Sequence, residues 1–548
     1  MKTISRRDFL KGSAAALLSA AVMGSIAPAD AQAASGDVLN FGCYVYSTSF
    51  DPAAYQNAAW QGVRWGITEC LFKFNDDMSV EYLLCDSYTV SDDKMTWTFH
   101  IRDGVLFSNG DACDAQAVAD SLNRLFYVCA NSSDYSSTPA GYIDMASITA
   151  DTDANTVTIV TNTACADLTA TLCFPFYSII DVYGDTTDAE HAGGYATTVI
   201  ATGPYALSSF DATTKSGTMV ANENYWNGEV PFGTVNVTFI EDDTTKALSL
   251  MSGLIDLTEN VTTSSDLATL EAMDNYYVSK SSSLRSGFAY INFDGILKND
   301  ALREAVRMAV DSETMCNITV GGMYTSGVGI LPSSLIYEDE NLDNPYAYDL
   351  DAAVALLDEA GIVDSDGDGI RELDGEPINL TYITYNNRCL SDFAQAIQVS
   401  LTSIGIGVSV NSTDSDTEWM LMQAGEYDLC DSNWTTVGTG DPTAFLLNWY
   451  GGTDGSNFYS SENQDGTNYC NYDSDEFDAL YEQFIASTDT EERNALVVDM
   501  EQVLVNDCAV LLHGYYNSTM ISNTKKVTGA EIATFDYYWL NTDIKPAE

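Results

Sequence analysis

Histidine is nearly absent: the 548 residues contain three, His100, His191 and His513. None has a second His or Cys at metal-ligand spacing, so each reads as structural rather than as a ligand or a general base. There is no G-x-S-x-G elbow, no H-E-x-x-H helix and no glycine loop followed by a phosphate-holding Lys, which removes the commonest hydrolase, metalloprotease and nucleotide-binding chemistries. Acids are everywhere, so no single carboxylate pair is informative. Bases are scarce: 22 Lys and Arg stand against 80 Asp and Glu, for a formal charge of -58. Such a surface repels nucleic acid and anionic lipid, and keeps a protein soluble and monomeric. The 12 cysteines include no C-x-x-C pair. Cys165 and Cys173 are the closest two, while Cys316 and Cys508 sit among apolar neighbours as small buried hydrophobes; the composition permits one or two bridges. No internal repeat, coiled coil or low-complexity linker interrupts the chain.

What is present begins at the N-terminus. Ser5-Arg6-Arg7-Asp8-Phe9-Leu10-Lys11 matches the twin-arginine export pattern, and an apolar run from Ala14 to Ala27 leads into Pro28-Ala29-Asp30-Ala31-Gln32-Ala33, whose alternating small residues suit signal peptidase. The run falls short of the roughly 20 residues that span a bilayer and is broken by Ser19, Gly24 and Ser25. Cleavage is expected near Ala31 or Ala33. It removes four bases (Lys2, Arg6, Arg7, Lys11) and two acids (Asp8, Asp30), leaving 18 and 78. No cysteine directly follows the run, since Cys43 lies well past it, so the expectation is an unanchored, extracytoplasmic (periplasmic) protein.

The remaining length, with 45% hydrophobic residues, can bury the cores of two or three domains. Val38 to Gly42 reads as an opening strand ended by a turn at Phe50-Asp51-Pro52, and a helix is expected from Trp60 to Phe72. Residues 88–102 alternate around Ser91-Asp92-Asp93 and predict a hairpin. Asp300 is placed to cap one helix and Asp311 to begin another. Asp351 to Ala360 is a helix closed by Gly361. Ile378, Leu380 and Tyr382 alternate as a strand; Phe393, Ile397, Leu401 and Ile404 share a helical face; Gly405 stops that helix; and Ile406, Val408 and Val410 alternate again. This βαβ unit predicts a parallel sheet covered by helices. Helices near Ser474 to Ala486 and Thr490 to Val505 and a strand from Ala509 to Tyr515 complete an α/β pattern.

Asp364, Asp366, Asp368 and Gly369 copy the first half of a calcium loop, with oxygen donors at alternate positions and a glycine for the turn. The second half departs: the twelfth position is Gly375, Glu376 comes one residue late, and a strand follows. A solvated turn is the favoured reading, with a cation site as the alternative.

Six blocks in order resemble the family 5 extracellular solute-binding proteins of ABC importers, the peptide- and nickel-binding group. They are DSYTVSDDKMTWTFHIRDGVLFSNGDACDAQAVADSL (86–122), ATGPYAL (201–207) with NENYWNG (222–228), YINFDGILKNDALREAVRMAVD (290–311), YDLDAAVALLDEAGIVDSDGDGIRELDG (348–375), AIQVSLTSIGIGV (396–408) and WTTVGTGDPTAFL (434–446). The resemblance implies an α/β fold, a two-lobed clamp like that of periplasmic binding proteins with an inserted extra domain. The signal peptide would occupy 1–33; the first lobe 34–66, 200–285 and 515–548; the inserted domain 67–199; and the second lobe 286–514. Ligand would sit between the lobes and close them by a hinge motion, and the closed form would be recognised by an ABC permease.

The same resemblance places Tyr44, Tyr46, Gln56, Asn57 and Trp60 on the first lobe's cleft wall and Tyr385, Arg388, Asn433 and Trp434 on the second's. Peptide binders of the family usually carry, shortly after the tryptophan that matches Trp434, an aspartate for the ligand's ammonium; here that position is Val437. Asp441, before Pro442, is the substitute on offer. The implied function is capture of a peptide or peptide-like ligand by a monomeric, non-enzymatic binding protein without a cofactor. A nickel chelate or haem as ligand, or a receptor-like sensor on the same fold, stands as the alternative.

Overall fold

Strands in this chain fall where β-branched and aromatic residues alternate, and most of them join one sheet. A computed structural model describes residues 37–548 apart from 46, 183–194, 334, 336–341 and 536. The signal segment, Tyr46 and His191 lie outside the described residues.

The large sheet has 11 strands. From one edge their order is Gly407–Thr413, Asn379–Tyr385, Leu429–Thr435, Tyr276–Ile291, Val510–Asn523, Leu257–Glu259, Val38–Cys43, Thr234–Phe239, Ser216–Ala221 and Tyr205–Asp211, with Tyr324–Thr325 paired onto Val510–Asn523. The two long strands, Tyr276–Ile291 and Val510–Asn523, run antiparallel and join the two halves of the sheet: Tyr276 to Ser282 pairs with the end of Val510–Asn523 that also holds Leu257–Glu259, whereas Arg285 to Ile291 pairs with Leu429–Thr435. Their mutual register shifts between Ser282 and Ser286 and again between Gly287 and Phe288. A β-bulge bends and twists the strand that carries it, so the sheet turns at the passage between lobes. Gly287 sits there because a Cβ would meet Tyr324 Cε1 at 2.7 Å.

The predicted βαβ unit is present. Asn379–Tyr385 and Gly407–Thr413 are parallel neighbours joined by the helix Leu390–Ser403, whose Phe393, Ile397 and Leu401 are buried. Gly405 has a φ of 86°, which stops the helix without a Cβ penalty. The predicted hairpin is also present, as Cys85–Val90 and Thr96–Ile101 in a separate sheet with Thr156–Thr161 and Met145–Asp151. That second sheet lies within residues 67–199 and packs beneath the helix Ala115–Asn131. Arg124 of this helix forms a two-pronged buried ion pair with Asp51, Nη1 to Oδ1 at 3.0 Å and Nη2 to Oδ2 at 2.6 Å.

Three expectations need correction. The early helix is Gln56–Arg64, not Trp60 to Phe72; Gly66 at φ 67° ends it and Phe72–Phe74 is a strand. The helix Asp300–Met308 is capped by Asn299, whose side chain accepts from the Leu302 N–H, so Asp300 is its first residue rather than its cap. No bridge forms: all 12 cysteines are free thiols, ten of them buried. Several helix boundaries fall within a residue or two of expectation, including Leu350–Glu359 followed by Gly361, Asp475–Ala486 capped by Ser474, and Thr490–Asn506, whereas the strand expected from Ala509 to Tyr515 continues to Asn523. Among the described residues no helix is long and apolar enough to cross a membrane.

Candidate ligand-binding cleft

The elements that reach the passage between lobes end in polar and aromatic residues, and a cavity of about 520 Å³ lies among them. Helix Gln56–Arg64 brings Gln56, Asn57 and Trp60 to it, and the chain after Val38–Cys43 brings Tyr44. From the opposite side come Tyr385 at the end of its strand, Arg388, and Asn433 and Trp434 from Leu429–Thr435. Asp441 lines it as well. Nine candidates named from the sequence therefore surround one cavity; Tyr46 is the one outside the described residues. The loop 436–441 completes the enclosure, since Tyr537 donates a hydrogen bond to the Gly438 carbonyl at 3.2 Å and a Cβ on Gly438 would meet Phe174 at 2.7 Å.

Each wall is held from behind by buried polar groups. Glu259, fully buried, accepts from the Tyr44 N–H at 2.9 Å and pairs with Lys246 at 3.3 Å. On the opposite wall Asp431, two residues before Asn433, accepts from the Tyr382 hydroxyl at 2.7 Å and lies 2.7 Å from His513 Nε2, both partners buried. His513 is thus structural, as is His100, which contacts Asp86 at 2.8 Å. Glu418 lies nearby, buried, with the Cys430 thiol donating to it at 3.0 Å; burial pushes its carboxyl up to about 7.

Arg388 and Cys389 both have left-handed backbones, with φ of 46° and 59°, a conformation that costs a residue with a Cβ about 1 kcal/mol or more. The turn is pinned by Tyr324, whose hydroxyl donates to the Arg388 carbonyl at 2.8 Å and accepts from Asn433 Nδ2 at 3.0 Å. Asp441 is committed elsewhere: one oxygen accepts from the Thr443 N–H at 2.8 Å and from its hydroxyl, and the other pairs with Arg493. Val437 is fully buried.

Sequence reasoning missed Arg285. It lines the cavity at only 5% exposure, donates to the Asn433 carbonyl at 3.2 Å and to Asn433 Oδ1 at 3.3 Å, and its guanidinium lies 5.3 Å from the Trp60 ring centre. The available signal was a lone arginine in the polar stretch Ser279–Gly287 of a base-poor chain. A second space of about 790 Å³ adjoins the first along Tyr44, Tyr385, Asn387, Arg388 and Ser415, and is bordered by Glu241, Asp242, Asp243, Asp392 and Asp414.

The acidic loop brings together a different trio from the expected one. Asp364, Asp366 and Glu372 place carboxylate oxygens within 4.8 Å of one another, whereas Asp368 turns to accept from the Ile370 N–H at 2.8 Å. Asp364 itself accepts from the N–H groups of Gly367 and Gly369. Local hydrogen bonds explain this turn.

A sheet shared by two lobes with a polar and aromatic cleft beside it defines a binding clamp. The family model of bacterial extracellular solute-binding proteins, family 5 (middle), matches residues 79–457, and the twin-arginine translocation signal model matches residues 3–23. The chain belongs to the family 5 solute-binding proteins of ABC importers and is exported by the twin-arginine route. It is similar to the nickel-binding protein NikA of Staphylococcus aureus, 26% identical over 482 residues that cover 87% of this chain and 89% of the relative. Among solved structures it resembles NikA of Brucella suis in complex with Fe(III)-EDTA, at a TM-score of 0.80 and 22% identity over 93% of this chain and 99% of that one. It also resembles the binding protein DppA of Helicobacter pylori in complex with the peptide STSA, at 0.73 and 23% over 93% and 98%.

Proposed function

We propose that this protein captures a peptide or peptide-like molecule between its lobes and passes it, unchanged, to the permease of an ABC importer. The observation that carries this is the cavity itself. Trp60 and Trp434 offer broad apolar faces that tolerate varied side chains, Asn57, Asn433 and Gln56 offer amide donors and acceptors suited to a peptide backbone, and Arg285 and Arg388 offer guanidinium forks suited to a carboxylate. The residues around the cavity bind and orient; no histidine is among them to act as a base. Three segments, 34–66, 200–285 and 515–548, would form the first lobe, 286–514 the second and 67–199 the inserted domain. Closure would bury the ligand, and a closed monomer would be what the permease recognises.

The ammonium of a short peptide would not be met at the position the family's peptide binders commonly use. Val437 is apolar and buried there, and Asp441 is already paired with Arg493. A second reading is favoured by the relatives described as nickel-binding: a carboxylate-bearing chelate would suit the same two arginines. Thermal-shift titration separates the two. Di- to pentapeptides should raise the melting temperature progressively with concentration, by about 2.7 kcal/mol of stabilisation at 100 times Kd. A shift with the nickel–histidine complex alone would replace the ligand class, and no shift with peptides, this complex or haem would overturn the reading.

A further inference from the structure

We propose that Arg285 is the residue that reads ligand charge in this cleft, engaging a ligand carboxylate together with Arg388 and so determining which solutes are held. The proposal deepens the reading above, and rests on ligand binding between the lobes. Its first support is position. Ser283, Leu284 and Arg285 face a single residue, Tyr516, of the neighbouring long strand, because the register shifts between the pairs Ser282–Asn517 and Ser286–Tyr515. Bulges re-aim side chains and are over-represented beside functional sites. Here the bulge lies where the sheet passes from one lobe to the other, and the side chain it carries touches both: Trp60 of the helix Gln56–Arg64 on one side and Asn433 of Leu429–Thr435 on the other.

The second support is electrostatic. Guanidinium charge in a low-dielectric cavity interacts more strongly with an entering anion than the same charge at the surface. Arg285 and Arg388 are both nine-tenths or more buried and line the same cavity in a protein of net charge -58. Elsewhere that net charge repels an anion; among the residues lining this cavity, which include Asp416 and the Arg493-paired Asp441, these two guanidiniums are the cationic groups an entering carboxylate meets.

The test titrates tetra-alanine and its C-terminal amide into the full mature chain, reading intrinsic tryptophan fluorescence. Wild type should bind the free acid about 30-fold more tightly than the amide. Arg285→Gln should lose about that factor for the acid and little for the amide, so that the ratio collapses towards one. Arg285→Lys, which keeps the charge but not the fork, should recover part of the ratio. Because the readout is a ratio between two ligands, a general loss of folding does not imitate it; melting curves check each variant. Equal binding of acid and amide by wild type, or a wild-type ratio in Arg285→Gln, overturns the role of Arg285 while leaving peptide capture intact. Binding of neither peptide overturns peptide capture and this proposal together.

Discussion

The two walls of the cleft are anchored by buried polar clusters of different kinds. Behind Tyr44 stands Lys246 against Glu259, with Asp243 3.4 Å away and the carbonyls of Glu259 and Asn260 accepting from the same ammonium. Behind Asn433 and Trp434 stand Asp431, His513 and Tyr382, with Phe393 stacked on the imidazole at 4.9 Å and Glu418 nearby. The first cluster is an ion pair between a buried ammonium and a fully buried carboxylate. The second includes a histidine and, in Glu418, a carboxyl that titrates near neutrality. One wall is therefore held by an ion pair and the other carries a carboxyl that burial lifts towards neutrality, although the two are built on strands of the same sheet.

The largest expected effect breaks the first wall. Lys246→Met leaves the fully buried Glu259 without its cation, and should cost about 3–5 kcal/mol in urea unfolding. Next, Glu418→Gln should flatten the pH dependence of the second wall. In the fold Glu418 keeps its proton up to about 7 against an ordinary value of 4.5, so its contribution is most favourable below 4.5 and declines as pH rises towards 7. The variant should match wild type at pH 4.5 and exceed it by up to about 3 kcal/mol at pH 8; a constant difference across that range would refute the assignment. A smaller loss, about 2 kcal/mol, is expected for Asp431→Asn, because an amide still accepts from Tyr382 and only the charge is removed. Smallest is Lys73→Ala, which breaks a half-exposed pair with Glu81 and should cost under about 1 kcal/mol by the same unfolding measurement.

These contrasts also mark what could be read from the sequence. The βαβ unit was legible because Leu380 and Tyr382, then Phe393, Ile397 and Leu401, fall at the two periods that burial imposes on strands and helices. The helix Gln56–Arg64 was misplaced because apolar residues continue to Phe72 after the helix has stopped; a positive-φ glycine, Gly66, outweighs the periodicity. Nine cleft residues were named from family resemblance, and no local pattern singles them out. Arg285 escaped because its place in the cleft depends on a register shift between strands more than 200 residues apart, which pairing partners decide and no short window contains. Asp441 looked available as a lone acid, but Arg493, 52 positions away, neutralises it.

The central claim is that the two lobes hold one small molecule reversibly and release it unaltered. Native mass spectrometry of the mature protein purified from its own host tests this directly. The account predicts a single adduct at one-to-one stoichiometry, released intact on denaturation and much reduced in Arg285→Gln. Contradiction would come from an adduct that survives denaturation, from a chemically altered product, or from full retention of the adduct after both Trp60 and Trp434 are replaced by alanine.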